Sequence, residues 1–229
     1  MATFVLVHGH WHGPWCWELV EERLLAAGHE VVSPTMPCEL REAGCAANAR
    51  AVSDAASGAL QRPLVLVGHS AGGMTIPLVA DQLDASHLVF VASLLPVPGK
   101  TMDQQFAEEP IIDPAFTFVD DGDGLSHVPP DDAIRFFYHD CDPRAARRAA
   151  ARLRPQTLTP LTETTPLGTW PAIPKTYVAC QFDRVIRPQW QLAAPKARLG
   201  ASIVPLDSGH SAMLSRPDEL TAILLRTAV

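Results

Sequence analysis

Short runs of Val, Leu and Ile recur along the chain, separated by longer stretches in which apolar residues return every three or four positions. The runs are TFVLVH (3–8), EVVS (30–33), LVLVGH (64–69), HLVFVASL (87–94), TYVAC (176–180) and ASIVPL (201–206). Apolar runs of this kind suit parallel strands buried on both faces, so six strands are expected. Between the first two, WELVEERLLAAG presents Leu19, Val20, Leu24 and Leu25 as one apolar face, and Gly28 can supply a left-handed cap. The Ala-rich stretch 46–60 spaces Val52, Ala55, Ala56 and Leu60 as a helix would, and Arg62-Pro63 ends it before the third run. Strand and helix in alternation imply right-handed crossovers and an α/β fold. The expected core is a doubly wound, mostly parallel six-stranded sheet with helices on both faces.

That rhythm breaks between about Leu95 and Pro174, where proline, acidic pairs and aromatics replace it. Within this stretch DDAIRFFYHD and DPRAARRAAARL read as helices, each opening on Asp residues able to cap an N-terminus. The division that follows is a core of residues 1–94 and 175–229 and a helical cap inserted at 95–174.

Composition narrows the classes. With 229 residues, 47% of them hydrophobic, the chain can bury one large core. Its net charge of −7 arises from 25 acidic and 18 basic residues without a long run of either sign, which argues against nucleic acid as a partner. MATFVLVHG lacks the marks of a signal peptide, and no apolar stretch approaches the roughly 20 residues that cross a bilayer. A membrane partner is therefore not expected. Cys16, Cys38, Cys45, Cys141 and Cys180 are odd in number and show no C-x-x-C spacing, which suits reduced thiols in the cytoplasm.

The strongest chemical signal follows the third run. GHSAGG, Gly68 to Gly73, leads into the helical MTIPLVADQL and satisfies G-x-S-x-G between a strand and a helix. In such a turn Ser70 is exposed on a strained backbone, Gly68 and Gly72 remove clashing side chains, and the Ala71 N–H sits at a helix start that favours negative charge. A serine hydroxyl needs a base, and the base needs a carboxylate to fix its tautomer. His210 lies in the loop after the sixth run and Asp183 in the loop after the fifth, so both reach the carboxyl end of the sheet, where ligands of such folds bind. Asp207, three residues before His210, reads as a brace of that loop, and His69 as a packing residue.

LVHGHWHGPW, residues 6–15, alternates His8, His10 and His12. Extended backbone would send all three to one face, yet no Asp, Glu or Cys in the loop completes a ligand set, so no metal is expected. The backbone reading is preferred: the His10 N–H joins the Ala71 N–H as an oxyanion donor, and Gly9 permits the close approach. For the pocket, the cap offers Phe136, Phe137 and Tyr138, with Met102, Phe106, Leu153 and Trp170 as further candidates, and LRPQTLTPL at the entrance.

VHGHWHGPWCW, LVGHSAGGM, CQFDRVIRP and GHSAMLSRP together resemble the α/β-hydrolase superfamily, and within it the plant methylesterase and hydroxynitrile lyase group with its bacterial relatives. The resemblance runs from the first strand to the last helix and is weakest in the insertion. It implies Ser70, Asp183 and His210 as a triad and oxyanion amides at His10 and Ala71; the cycle of such a triad requires no cofactor, and the apolar cap argues for a small to medium apolar ester as substrate. Lyases of the group carry Thr or Asn where Gly9 stands, and the rubber-tree type carries Lys where Ser211 stands, so ester hydrolysis is the first expectation. Dehalogenases and epoxide hydrolases of this fold would have Asp in place of Ser70. A biosynthetic lyase or cyclase, or a small-molecule receptor, remains an alternative on the same scaffold, and a homodimer is left open.

Overall fold

The computed structural model describes residues 1–58 and 61–228. Its strands are, in chain order, β1 (Thr3–Val7), β2 (Glu30–Val32), β3 (Leu64–His69), β4 (His87–Val91), β5 (Val119–Asp120), β6 (Leu125–His127), β7 (Gln156–Thr157), β8 (Lys175–Cys180) and β9 (Ser202–Leu206). Six of them form one sheet in the order β2-β1-β3-β4-β8-β9, every neighbouring pair parallel. These are the six runs expected. The fourth stops early because Ala92 turns the chain out of the strand at φ 43°.

Each central strand divides its side chains between two cores, as the two-residue period demands. Phe4, Leu6, Val65, Val67, Val89, Val91 and Val178 face one side, where Val20 and Leu24 of helix Glu18–Ala26 and Leu220 and Leu224 of helix Pro217–Leu225 cover them. Val5, Val7, Leu64, Leu66, Leu88, Phe90 and Tyr177 face the other, under Val52 of helix Cys45–Ala56 and Ile76 and Val79 of helix Ile76–Val79. Burying one such side chain contributes about 1.5–3 kcal/mol, so the sheet carries much of the apolar stabilisation.

Two helical faces differ from expectation. Leu19 and Leu25 are exposed, because Val20 and Leu24, one turn apart, already occupy the buried stripe. Gly28 takes φ 81°, and the N–H groups of Gly28 and His29 close on Leu25 O and Leu24 O, the Schellman arrangement. In helix Cys45–Ala56 Ala55 faces solvent. Leu60, expected to extend that face, lies outside the described residues.

The segment between β4 and β8 holds helices Met102–Glu108, Pro130–Phe136, Pro143–Ala150 and Thr159–Thr162. Asp142 caps the third of these by accepting from the Arg144 and Ala145 N–H groups. Asp131 and Asp132, expected as caps, instead occupy the first turn of helix Pro130–Phe136, whose N-cap is Pro129. The segment also carries a small antiparallel sheet, β5-β6-β7, that periodicity did not predict. An antiparallel bridge between Ile112 and Ile186 ties it to the loop after β8.

Candidate active site

Strand order locates the site. The connection from β1 leads out to β2, whereas from β3 the chain proceeds the other way through β4, β8 and β9. The reversal lies between β1 and β3, and ligands of open parallel sheets bind at such a point, outside the strand carboxyl ends. The β1 end carries His8, Gly9 and His10, and the β3 end carries Ser70 and Ala71.

Ser70 adopts φ 52°, a left-handed conformation unusual outside glycine. The surroundings enforce it. A Cβ on Gly68 would sit 2.9 Å from the Gly72 backbone, and one on Gly72 only 2.6 Å from Val7 O. The end of β4 closes over the turn: Ser93 Oγ donates to Gly68 O at 2.6 Å and Leu94 N–H to Ser70 O at 3.0 Å. Tyr177 Oη holds Ser93 in turn, accepting from its N–H and donating to its carbonyl. Gly9 abuts this turn so closely that a Cβ there would lie 2.7 Å from Ser70 Cβ.

Asp183 and His210 meet across 27 residues. His210 Nδ1 and Asp183 Oδ2 are 2.9 Å apart, and both side chains are buried. The carboxylate is fully engaged: Oδ1 accepts from the Val185 and Ile186 N–H groups at 2.7 and 3.1 Å, and Oδ2 also accepts from Gln191 Nε2 at 2.7 Å. Gln191, itself completely buried, donates to Ile186 O and accepts from the Cys180 N–H, so it ties the carboxylate to the end of β8. Sequence reasoning missed this residue, since a glutamine early in a helix carries no periodic signal for a bond back across a turn. The backbone of His210 is fixed by His69, whose Nε2 meets His210 O at 2.9 Å. His69 therefore braces the loop rather than merely filling space. Asp140 of the inserted segment accepts from the Gly209 N–H at 2.6 Å, directly before His210. Asp207 bonds Gln181 Nε2 at 2.7 Å, away from the imidazole.

The three alternating histidines do not share a face. Trp11 turns the chain at φ 60°, and the rings take different surroundings. His8 lies between Gly9 O and the Met36 N–H, at 2.9 and 3.4 Å. His12 lies between His10 O at 2.8 Å and Tyr138 Oη at 2.9 Å. Burial lowers all three below the ordinary value of 6.5, His8 to about 3 and His10 and His12 to about 4, so the rings are neutral. Among the described residues no cluster of His, Cys, Asp or Glu is arranged to hold a metal ion.

A cavity of about 280 Å³ opens beside Ser70. His10, Trp11, Ser70 and Ala71 form its floor, Phe106, Ile112, Phe116, Phe118 and Leu161 of the segment between β4 and β8 one wall, and Val185 and Ile186 another. Of the side chains expected around it Phe106 lines the cavity, and so does Leu161 at the end of the LRPQTLTPL stretch. Phe136, Phe137 and Tyr138 stand behind the wall: Phe136 meets Phe116 edge-on, Phe137 stacks on Trp11 and lies 5.6 Å from the His210 ring, and Tyr138 holds His12. They stand at and just beyond the end of helix Pro130–Phe136 and are buried against the rings behind the cavity wall, so they pack the site. Trp170 packs on Phe90, and Met102 is buried in the core.

The chain belongs to the alpha/beta hydrolase family, whose pattern matches residues 4–223. Methyl jasmonate esterase 1 of Vitis vinifera is 27% identical over 96% of this chain and 94% of its own length. Esterase PIR7B of Oryza sativa subsp. japonica is 39% identical over 110 residues, a stretch that spans 43% of this chain and 41% of that protein. Among solved structures, polyneuridine aldehyde esterase superposes with TM-score 0.82 at 21% identity, covering both chains completely, which speaks for the fold. The resemblance to the plant methylesterase group is thus borne out.

Proposed function

We propose that the protein is a serine-dependent carboxylic ester hydrolase for small to medium apolar esters. The observation that carries this reading is the buried 2.9 Å contact between His210 Nδ1 and Asp183 Oδ2, at the sheet end where Ser70 stands on a strained turn. Ser70 Oγ attacks the ester carbonyl while His210 Nε2 takes its proton, and the resulting oxyanion is held by the N–H groups of His10 and Ala71. Collapse expels the alcohol, protonated by His210, and water, deprotonated by the same ring, releases the acid. Asp183, held in place by its three N–H donors, fixes the imidazole tautomer and stabilises its cation. The cycle draws on no cofactor.

In this reading residues 95–174 act as a cap, and the largely apolar cavity it walls suits a hydrophobic acyl or alcohol group. Among the described residues no helix is long and apolar enough to cross a membrane. The five free cysteines suit a reducing cytoplasm. The names of full-length relatives, among them Methylesterase 17 of Arabidopsis thaliana, favour a methyl ester. Packing at Gly9 supports hydrolysis over cyanohydrin cleavage, because the Thr or Asn of the lyases would press its Cβ against Ser70. The test is hydrolysis of a panel of methyl esters and acyl p-nitrophenyl esters by wild type and Ser70→Ala. Turnover that falls by about 10³-fold or more in the variant is expected. Turnover indifferent to Ser70 would refute the reading.

A further inference from the structure

The cavity beside Ser70 is walled by aliphatic and aromatic side chains, and among its lining residues only Ser70, Trp11 and His10 carry a polar side-chain atom. Ser70 is the candidate nucleophile, and the Trp11 indole N–H already donates to Ser126 Oγ at 3.2 Å. His10 is left. The residue is 7% exposed and its ring meets Trp11 edge-on at 5.6 Å, but among the described residues its ring nitrogens have no hydrogen-bond partner. His8 and His12 of the same loop are paired on both nitrogens, and the unpartnered Nδ1 atoms of His29, His69 and His139 are enclosed by protein, whereas the His10 ring lines the cavity. Edge-on contact with Trp11 explains where the ring lies and leaves its nitrogens unexplained.

We infer that the His10 imidazole is a specificity device that selects esters bearing a hydroxyl or keto oxygen on the α or β carbon next to the scissile carbonyl. The inference rests on the esterase reading above. Position follows from covalent geometry: the main-chain N–H of His10 is the oxyanion donor of that reading, so its ring lies one side-chain length from the reacting carbonyl. Only a polar group near that carbonyl can reach it. Chemistry follows from charge state. Burial lowers the ring to about 4, so at neutral pH one nitrogen donates and the other accepts, which serves a ketone or an alcohol. A substrate without such a group leaves the imidazole desolvated and unpaired, and sites of that kind discriminate against the analogue that lacks the partner.

The experiment compares kcat/KM for the methyl ester of β-hydroxy-phenylpropanoic acid and for its deoxy counterpart, in wild type, His10→Phe and His10→Gln. The readout is the ratio of the two values, so a loss common to both esters cancels. Wild type should favour the hydroxy ester by on the order of 10-fold or more, His10→Phe should bring the ratio near one, and His10→Gln, which keeps a donor and an acceptor, should retain part of it. A wild-type ratio near one, or a ratio that survives in His10→Phe, overturns the inference. Calorimetric binding of the same two esters to Ser70→Ala, with and without His10→Phe, reads the contact without turnover. Preferential binding that His10→Phe abolishes, in a protein that hydrolyses neither ester, would sustain the His10 assignment and sink the esterase reading. Equal or absent binding to Ser70→Ala overturns the assignment.

Discussion

Two sets of histidines stand at the same end of the sheet, and their hydrogen bonds set them apart. In the loop after β9, His210 gives Nδ1 to a carboxylate that is itself held by two N–H groups and a glutamine. In the loop after β1, His8 and His12 use both nitrogens on backbone groups and Tyr138, and His10 uses neither. The same side chain thus serves as candidate base, as scaffold and as a free polar group in an apolar cavity. Count and spacing of histidines say little about chemistry; what each ring nitrogen touches says most.

Acid has the largest expected effect on the buried rings around the β1 and β3 loops. His8, His10, His12 and His69 are held neutral by burial, with values lowered from 6.5 to about 3 for His8, to about 4 for His10 and His12, and well below 6.5 for His69. Between those values and 6.5 the unfolded chain binds protons that the folded chain refuses, so stability falls as pH drops through 6.5. Each such ring contributes about 1.4 kcal/mol per pH unit to that loss, which levels off only below its folded value. Urea unfolding at a series of pH values from neutral down to about 5 should show this decline. A flat profile would mean that the loop opens and protonates without unfolding the core.

Next in size is the contact between the loops after β1 and β3. Gly9→Thr forces a Cβ within 2.7 Å of Ser70 Cβ, and a displaced nucleophile should lower kcat by about 10²-fold while the chain still folds. Full activity in this variant would show that the two loops are not tightly registered. The smallest effect belongs to Tyr138→Phe, which leaves the buried His12 Nε2 without its donor. A loss of about 1–3 kcal/mol in stability is expected, read from the urea midpoint, with little change in kcat. A large fall in kcat would instead make Tyr138 part of the working site.

Much of this was legible in the sequence because the core obeys simple periods. Runs such as LVLVGH read as buried strands, GHSAGG gained its meaning from the strand before it and the helix after it, and the loops after β8 and β9 emerge at the same sheet end because those strands are parallel. The segment between β4 and β8 resisted because its elements are too short for a period to register: β5 and β7 span two residues each. One signal there went unread. Thr101 and Gln104 form a capping box that opens helix Met102–Glu108, and the T-x-x-Q spacing is visible in TMDQ. The cavity wall failed for another reason, since Phe136, Phe137 and Tyr138 are as apolar as Phe116 and Phe118, and only packing decides which rings face the cavity.

In the proposed mechanism the Asp183–His210 pair activates Ser70. Fluorophosphonate labelling followed by intact-protein mass spectrometry tests it most directly, with wild type, Ser70→Ala and Asp183→Asn compared as a function of time. A single adduct is predicted in wild type, none in Ser70→Ala, and labelling slowed by about 10³-fold or more in Asp183→Asn, where the imidazole loses its tautomer. Labelling of Ser70 at an unchanged rate in Asp183→Asn would contradict it.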